Sequence, residues 1–143
     1  MGASKMTIKP AHKRLLIVDD DSGIRDQLKW SFDDFDVYTA DNRTNAIAQI
    51  EALHPPVVTL DLGLPPDAEG ESEGFAILKQ IMQMAPETRV VVVSGSGNPD
   101  NARMASVSGA FDYYSKPIQV DQLKLIIERA YQAYTSITVK KVD

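Results

Sequence analysis

Leu15-Leu16-Ile17-Val18 runs directly into Asp19-Asp20-Asp21, and this step from four apolar residues to three acidic ones decides the fold. A short apolar run that ends at a turn signal is typical of a strand buried on both faces of a parallel sheet. Helices cover both faces of such sheets and connect their strands. Strands and helices should therefore alternate along the chain.

Four more apolar runs follow, with room for a helix between each pair. The predicted strands are Val37–Ala40, Val57–Leu60, Val90–Val93 and Phe111–Tyr114. Apolar residues at spacings of three and four predict the helices: one capped by Ser22, one capped by Asn42, one carrying Phe75 to Met82, a weaker one from about Pro99 to Ser108, and a last one from about Val120 to Tyr134. Strands that alternate with helices run parallel with right-handed crossovers. The predicted fold is α/β: a doubly wound (βα)5 unit with five parallel strands and helices on both faces.

Composition limits the function classes. The chain has 143 residues, 43% of them hydrophobic, a net charge of −5 and no cysteine. Thiolate catalysis and cysteine-ligated metals are excluded, and the lack of a Lys/Arg block argues against direct nucleic-acid binding. No apolar run approaches the roughly 20 residues of a membrane helix, and the polar N-terminus does not resemble a signal peptide. We expect a cytoplasmic protein without membrane contact.

The pattern also predicts boundaries and burial. Residues 1–13 should be a disordered lead, residues 14–134 one domain, and residues 135–143 a tail or linker towards a missing output domain. Trp30, Met82, Met84 and Met104 are expected in the core or partly buried, whereas Tyr131 and Tyr134 could lie on a dimer face.

Polar residues with chemical potential lie where the predicted strands end. Asp19 and Asp20, then Asp61, Ser94 and Lys116 close four different strands. Ligands of open α/β sheets bind at this edge. Carboxylates gathered there repel each other unless a cation lies among them, and Mg²⁺ suits an all-oxygen site. With a lysine and a hydroxyl for phosphoryl oxygens, this set predicts phosphoryl transfer onto an aspartate.

These residues resemble the receiver domain of bacterial two-component response regulators (CheY-like) over nearly all of residues 14–134. The matching motifs are Leu-Ile-Val-Asp-Asp in the first strand, Asp61-Leu-Gly-Leu-Pro65, Val-Val-Val-Val-Ser94-Gly95, Gly109-Ala110 and Tyr-Ser-Lys116-Pro117. The resemblance implies that Asp61 is the phosphoacceptor and that Asp19, Asp20, Asp61 and the Gly63 backbone carbonyl bind Mg²⁺. It assigns Lys116 to pairing with the phosphoryl group, Ser94 as the switch hydroxyl and Tyr113 as the aromatic that moves with it. The Lys116–Pro117 bond should be cis.

The resemblance also implies partners. A sensor histidine kinase would supply the phosphoryl group in a phosphorelay, and the face made by the fourth helix, fifth strand and fifth helix would form a homodimer and control an output, expected to be transcription. Enzymatic chemistry would be limited to self-phosphorylation and autodephosphorylation. The runs Asp-Leu-Gly-Leu-Pro-Pro-Asp and Glu-Gly-Phe are more narrowly similar to receivers of sigma-54 (NtrC-type) regulators associated with PEP-CTERM systems.

One segment departs from the family pattern. Pro65 and Gly74 are nine positions apart, further than in the family, and residues 66–73 carry four acids. The favoured interpretation is a solvated loop. The alternative is that this insert shapes access to the site or the choice of partner.

Two other functions stay open. A haloacid-dehalogenase-like phosphatase would use Asp19 as its nucleophile, with Ser94 and Lys116 as its second and third motifs. Against it, no acidic pair ends a later strand, and Asp61 would have no role. A receiver-like fold that binds a partner without phosphorylation is the other alternative.

Overall fold

The computed structural model describes residues 13–95 and 98–142. The predicted disordered lead lies outside the described residues except for Lys13. That residue belongs to the fold, since its backbone carbonyl accepts a hydrogen bond of 2.9 Å from Asp36 N and its ammonium lies 3.1 Å from Asp34 Oδ2.

Five parallel strands form one sheet, as predicted. The strands are β1 (Arg14–Val18), β2 (Asp36–Ala40), β3 (Val57–Asp61), β4 (Arg89–Ser94) and β5 (Asp112–Ser115). The helices are α1 (Ser22–Ser31), α2 (Arg43–Leu53), α3 (Ser72–Met84), α4 (Asp100–Val107) and α5 (Val120–Val142). The order across the sheet is β2-β1-β3-β4-β5, so the direction of winding changes between β1 and β3. The doubly wound (βα)5 prediction is confirmed, and the expected ligand site lies at that change.

The core has two layers because successive strand residues point to opposite faces of the sheet. Leu16 and Val18 pack with the buried residues of α2, α3 and α4, whereas Leu15 and Ile17 pack with those of α1 and α5. All four side chains are at most 1% exposed. The apolar run that predicted the fold is therefore buried on both faces.

The first helix cap differs from the prediction. Asp21, not Ser22, is the N-cap of α1, and its Oδ1 accepts hydrogen bonds from Gly23 N at 2.8 Å and Ile24 N at 3.3 Å. The helix begins one residue earlier than a Ser22 cap would allow, because the aspartate after the strand end already reaches the free amides. Asn42 caps α2 as predicted, accepting from Asn45 N at 2.9 Å.

Several burial predictions were wrong. Trp30 is 79% exposed, because it lies off the buried stripe of α1 that contains Leu28, and Met84 and Met104 are also exposed. Tyr131 is buried rather than free for a dimer face, since its ring packs edge-on against Phe35 with 5.6 Å between centroids.

The last helix is longer than predicted. It continues through Val142, so most of the predicted tail at 135–143 is helical. Neither glycine nor proline follows Pro117, and the sequence therefore offers no strong helix breaker there. Whether this segment leads into an output domain stays a prediction. Within the described residues, no helix combines the length and the apolar character that crossing a membrane requires.

Candidate functional site

A cleft of about 360 Å³ opens at the carboxyl ends of the strands. Six of the seven predicted site residues line it: Asp19, Asp20, Asp61, Gly63, Ser94 and Lys116. They come from β1, β3, β4 and β5 or the turns that follow, and parallel pairing carries all four strand ends to one edge. Sequence positions almost 100 residues apart therefore meet in one site.

Lys116 joins the two buried carboxylates. Its Nζ lies 3.1 Å from Asp19 Oδ2 and 3.6 Å from Asp61 Oδ1. The backbone fixes this lysine, since Lys116 N donates to the Ser94 carbonyl at 2.8 Å and extends the pairing of β5 with β4 by one residue. The Lys116–Pro117 bond is cis, as predicted.

Asp19 is held rigidly. Its side chain is almost fully buried, and Oδ1 accepts a hydrogen bond of 2.9 Å from Asp21 N. Its backbone amide donates to the Ala40 carbonyl at 3.1 Å, and Arg25 donates to its carbonyl at 2.8 Å. Asp20 differs because its side chain is exposed at the mouth of the cleft.

The buried environment disfavours the charge on Asp61. Burial, together with the nearby Asp19 carboxylate, raises the pKa of Asp61 from 3.8 to about 6. Lys116 and a hydrogen bond of 3.2 Å from Gly63 N act in the opposite direction but do not cancel the effect. Keeping the Asp61 carboxylate ionised therefore costs free energy, and an additional positive charge nearby would lower that cost.

The acidic residues fit a hard divalent cation. Asp19, Asp20 and Asp61 each offer a carboxylate oxygen, and the three oxygens lie within 4.8 Å of one another. Oxygen donors of this kind suit Mg²⁺, which prefers one or two carboxylates, water and phosphate oxygens. The raised pKa of Asp61 supports the same conclusion, because Lys116 alone leaves the site short of positive charge.

Ser94 and Tyr113 share a face of the sheet. Val92 pairs in register with Tyr113, and Ser94 follows Val92 by two residues. Both side chains therefore point towards the layer formed by α2, α3 and α4. Ser94 is buried in the cleft, whereas Tyr113 is half-buried beside a separate cavity of about 270 Å³ between α4 and β5. Tyr113 is thus the predicted residue that the structure does not bring into the cleft.

The acidic insert is a loop of turns with no buried residue, which agrees with the favoured interpretation of a solvated loop, and it also forms one wall of the cleft. Asp67 accepts hydrogen bonds from Ser72 Oγ at 2.6 Å and Ser72 N at 3.3 Å. The backbone of the insert passes close to Gly63: a Cβ added to Gly63 would lie 2.6 Å from the Ala68 carbonyl oxygen. Residues 68–71 line the cleft. The alternative, that the insert shapes access to the site, agrees with this geometry, and the only signal for it was its position directly after Asp61.

Comparisons with known proteins agree with the fold and the cleft. The family model described as "response regulator receiver domain" matches residues 15–128. The regulatory protein AtoC of Escherichia coli is 34% identical over 124 residues, 85% of this chain but 26% of AtoC. The chemotaxis protein CheY of Listeria monocytogenes is 33% identical over 120 residues, which are 82% of this chain and 97% of CheY.

A solved structure shows the same architecture. The solution structure of the beryllofluoride-activated NtrC4 receiver domain dimer superposes with a TM-score of 0.76 at 31% identity, covering 85% of this chain and 98% of that one.

The chain spans about a quarter of the length of AtoC. Neither the family model nor the relatives support the phosphatase alternative, and the narrower resemblance to PEP-CTERM-associated regulators stays a prediction. With the family model matching most of its length, the chain belongs to the response regulator receiver domain family.

Proposed function

We propose that this chain is a phosphorylation-controlled receiver whose phosphoacceptor is Asp61, with a sensor histidine kinase as the donor. The observation that carries the proposal is the buried Asp61 carboxylate, which shares the Lys116 ammonium with Asp19. Burial disfavours the negative charge on the Asp61 carboxylate, and the Lys116 ammonium lies next to it. Both features suit a carboxylate that forms a bond to phosphorus, because the lysine can then pair with a phosphoryl oxygen.

Transfer would proceed in line. An Asp61 oxygen attacks the phosphorus of a phosphohistidine, the new O–P bond forms as the N–P bond breaks, and the released imidazole takes up a proton. The Gly63 amide orients the Asp61 carboxylate from 3.2 Å. Lys116 would exchange its contact with Asp61 for one with a phosphoryl oxygen, which places a positive charge where negative charge gathers.

Mg²⁺ would be held by Asp19, Asp20, Asp61 and the Gly63 backbone carbonyl. The bound cation would neutralise negative charge on the phosphoryl oxygens. The structural support is the set of three carboxylate oxygens within 4.8 Å. Asp19 is held by the Asp21 amide and by its own amide's hydrogen bond to the Ala40 carbonyl of β2, so the site needs little reorganisation.

The switch would use Ser94 and Tyr113. A phosphoryl group on Asp61 offers acceptor oxygens to the Ser94 hydroxyl, and inward movement of Ser94 would open space for Tyr113 on the same face of the sheet. The surface made by α4, β5 and α5 would then change and form a homodimer. In a longer protein this would control transcription in the cytoplasm, without nucleic-acid or membrane contact by the receiver itself.

Mass spectrometry after incubation with acetyl phosphate and Mg²⁺ tests the assignment. Wild-type protein should gain one phosphoryl group, and Asp61→Asn should gain none, whereas Asp26→Asn, an exposed change on α1, should behave as wild type. Wild-type uptake in Asp61→Asn would refute the phosphoacceptor role. Turnover of p-nitrophenyl phosphate that depends on Asp19 but survives Asp61→Asn would revive the phosphatase alternative.

A further inference from the structure

The acidic insert connects the cleft to helix α4. Glu71 lines the cleft with Asp61, and its Oε1 accepts a hydrogen bond of 3.2 Å from Nδ2 of Asn101. Asn101 lies in the first turn of α4 and is 1% exposed. One carboxylate thus borders the phosphorylation site and contacts a buried side chain of a different element.

Helix α4 has few other anchors, which makes this contact important. It is eight residues long, and Asn101 and Ala105 are its buried residues. Its N-cap residue, Pro99, makes no side-chain hydrogen bond, and the exposed end of the helix is held by Asn98, whose Oδ1 accepts from Asp100 N at 3.0 Å. Val107 near the other end is 79% exposed. A short helix with one apolar anchor depends strongly on a buried polar contact.

The insert is also firmly seated on the strand end that carries Asp61. A Cβ on Gly74 would come within 2.3 Å of Leu62 Cα, and a Cβ on Gly63 would meet the Ala68 carbonyl. On the outer side, Arg43 of α2 lies 3.5 Å from Glu73 Oε1. Because its backbone is held at both ends, the response of Glu71 to a new charge falls on its side chain rather than on the whole loop.

We propose that Glu71 couples phosphorylation of Asp61 to helix α4, an inference that rests on the proposed function. Phosphorylation replaces the single negative charge of the Asp61 carboxylate with a phosphoryl group that carries nearly two, in a cleft that Glu71 lines. Repulsion pushes the Glu71 side chain away from Asn101, the hydrogen bond weakens, and the N-terminal turn of α4 loses its buried polar anchor and keeps its bonds to Asn98. The insert thereby gives this receiver a second connection from the site to α4, separate from Ser94 and Tyr113.

Two substitutions separate the charge of Glu71 from its hydrogen bond. Glu71→Gln keeps an acceptor for Asn101 but removes the charge, so the contact should persist when Asp61 is phosphorylated. Glu71→Ala removes the contact outright. Glu69→Gln is the matched control, because Glu69 lines the same cleft wall and is exposed.

Amide hydrogen exchange of α4 is the measurement, made with and without acetyl phosphate and Mg²⁺ while intact mass gives the phosphorylated fraction. Without phosphate, the amides of α4 should exchange at least about tenfold faster in Glu71→Ala than in wild type, the lower end of the effect expected for one hydrogen bond to a charged group. Phosphorylation should speed α4 exchange in wild type and in Glu69→Gln. In Glu71→Gln, phosphorylation should raise the logarithm of the α4 exchange rate by less than about half of the rise seen in wild type.

Two results would overturn the coupling. One is wild-type exchange of α4 in unphosphorylated Glu71→Ala, and the other is an equal response to phosphorylation in Glu71→Gln and wild type. Full phosphorylation by mass with either result refutes the coupling alone. Failure of wild-type Asp61 to take up phosphate refutes the proposed function and the coupling together.

Discussion

Replacing Asp61 with asparagine should stabilise the metal-free protein. Burial and the Asp19 carboxylate raise the pKa of Asp61 from 3.8 to about 6, so the folded state holds the Asp61 proton more tightly than the unfolded state does. The contribution of this group to stability is therefore fully present below pH 3.8 and is lost as the pH rises through about 6. Asparagine resembles the neutral form at every pH, and the variant should avoid this loss.

The magnitude follows from the same two values. A rise from 3.8 to about 6 corresponds to about 3 kcal/mol of unfolding free energy once both states are ionised, at 1.36 kcal/mol per pH unit. Asp61 is only 7% exposed, so solvent screens this effect weakly. We expect the free energy of unfolding of Asp61→Asn to exceed that of wild type by about 3 kcal/mol at pH 8 and by less than about 1 kcal/mol at pH 4.

Urea unfolding in the presence of a chelator measures the difference between pH 4 and pH 8. Asp26→Asn provides the control, since it removes one carboxylate from the exposed side of α1 and leaves the cleft unchanged. A difference between Asp61→Asn and wild type that does not vary with pH, or an asparagine variant that is less stable at pH 8, would refute the electrostatic reasoning.

Three further outcomes are expected. Saturating Mg²⁺ should nearly close the gap between the two proteins at pH 8, because at 100 times the dissociation constant it stabilises wild type by about 2.7 kcal/mol; thermal unfolding with and without Mg²⁺ should show a smaller gain for Asp61→Asn, and an equal gain would contradict the assigned ligands. Lys116→Ala should destabilise the metal-free protein by about 3 kcal/mol at pH 8, since it leaves Asp19 and Asp61 buried without their shared cation, and the loss in urea unfolding should shrink in the double variant with Asp61→Asn. Asp21→Ala should cost about 1 kcal/mol, whereas Ser22→Ala should cost far less, because Asp21 caps α1; the reverse order in the same assay would restore the cap predicted from the sequence.

The sequence determined the sheet and the chemistry of its edge. Five short apolar runs, each too short for a helix and each followed by a turn signal, required buried parallel strands. Since Asp19, Asp61, Ser94 and Lys116 all end such runs, their meeting at one edge followed from the topology alone. The cap at Asn42 was equally readable, because a side chain there contacts an amide only three residues away.

Features that depend on distant neighbours could not be read in this way. The sequence predicted burial for Trp30 and a place on a dimer face for Tyr131. Contact with Phe35 buries the tyrosine instead, and the position of Trp30 on α1 exposes the tryptophan. The sequence could not show that the insert also contacts α4, because Asn101 and Glu71 lie 30 positions apart.

The sequence by itself therefore determined which residues form the sheet and which polar groups close its strands, because strand patterns and strand ends are local. Only the tertiary structure decided how those groups interact. The raised pKa of Asp61 comes from burial and from Asp19, a residue of another strand, and the position of Lys116 comes from pairing between β4 and β5. Electrostatic energies depend on distances and on access of solvent, and folding sets both for groups that the sequence leaves far apart.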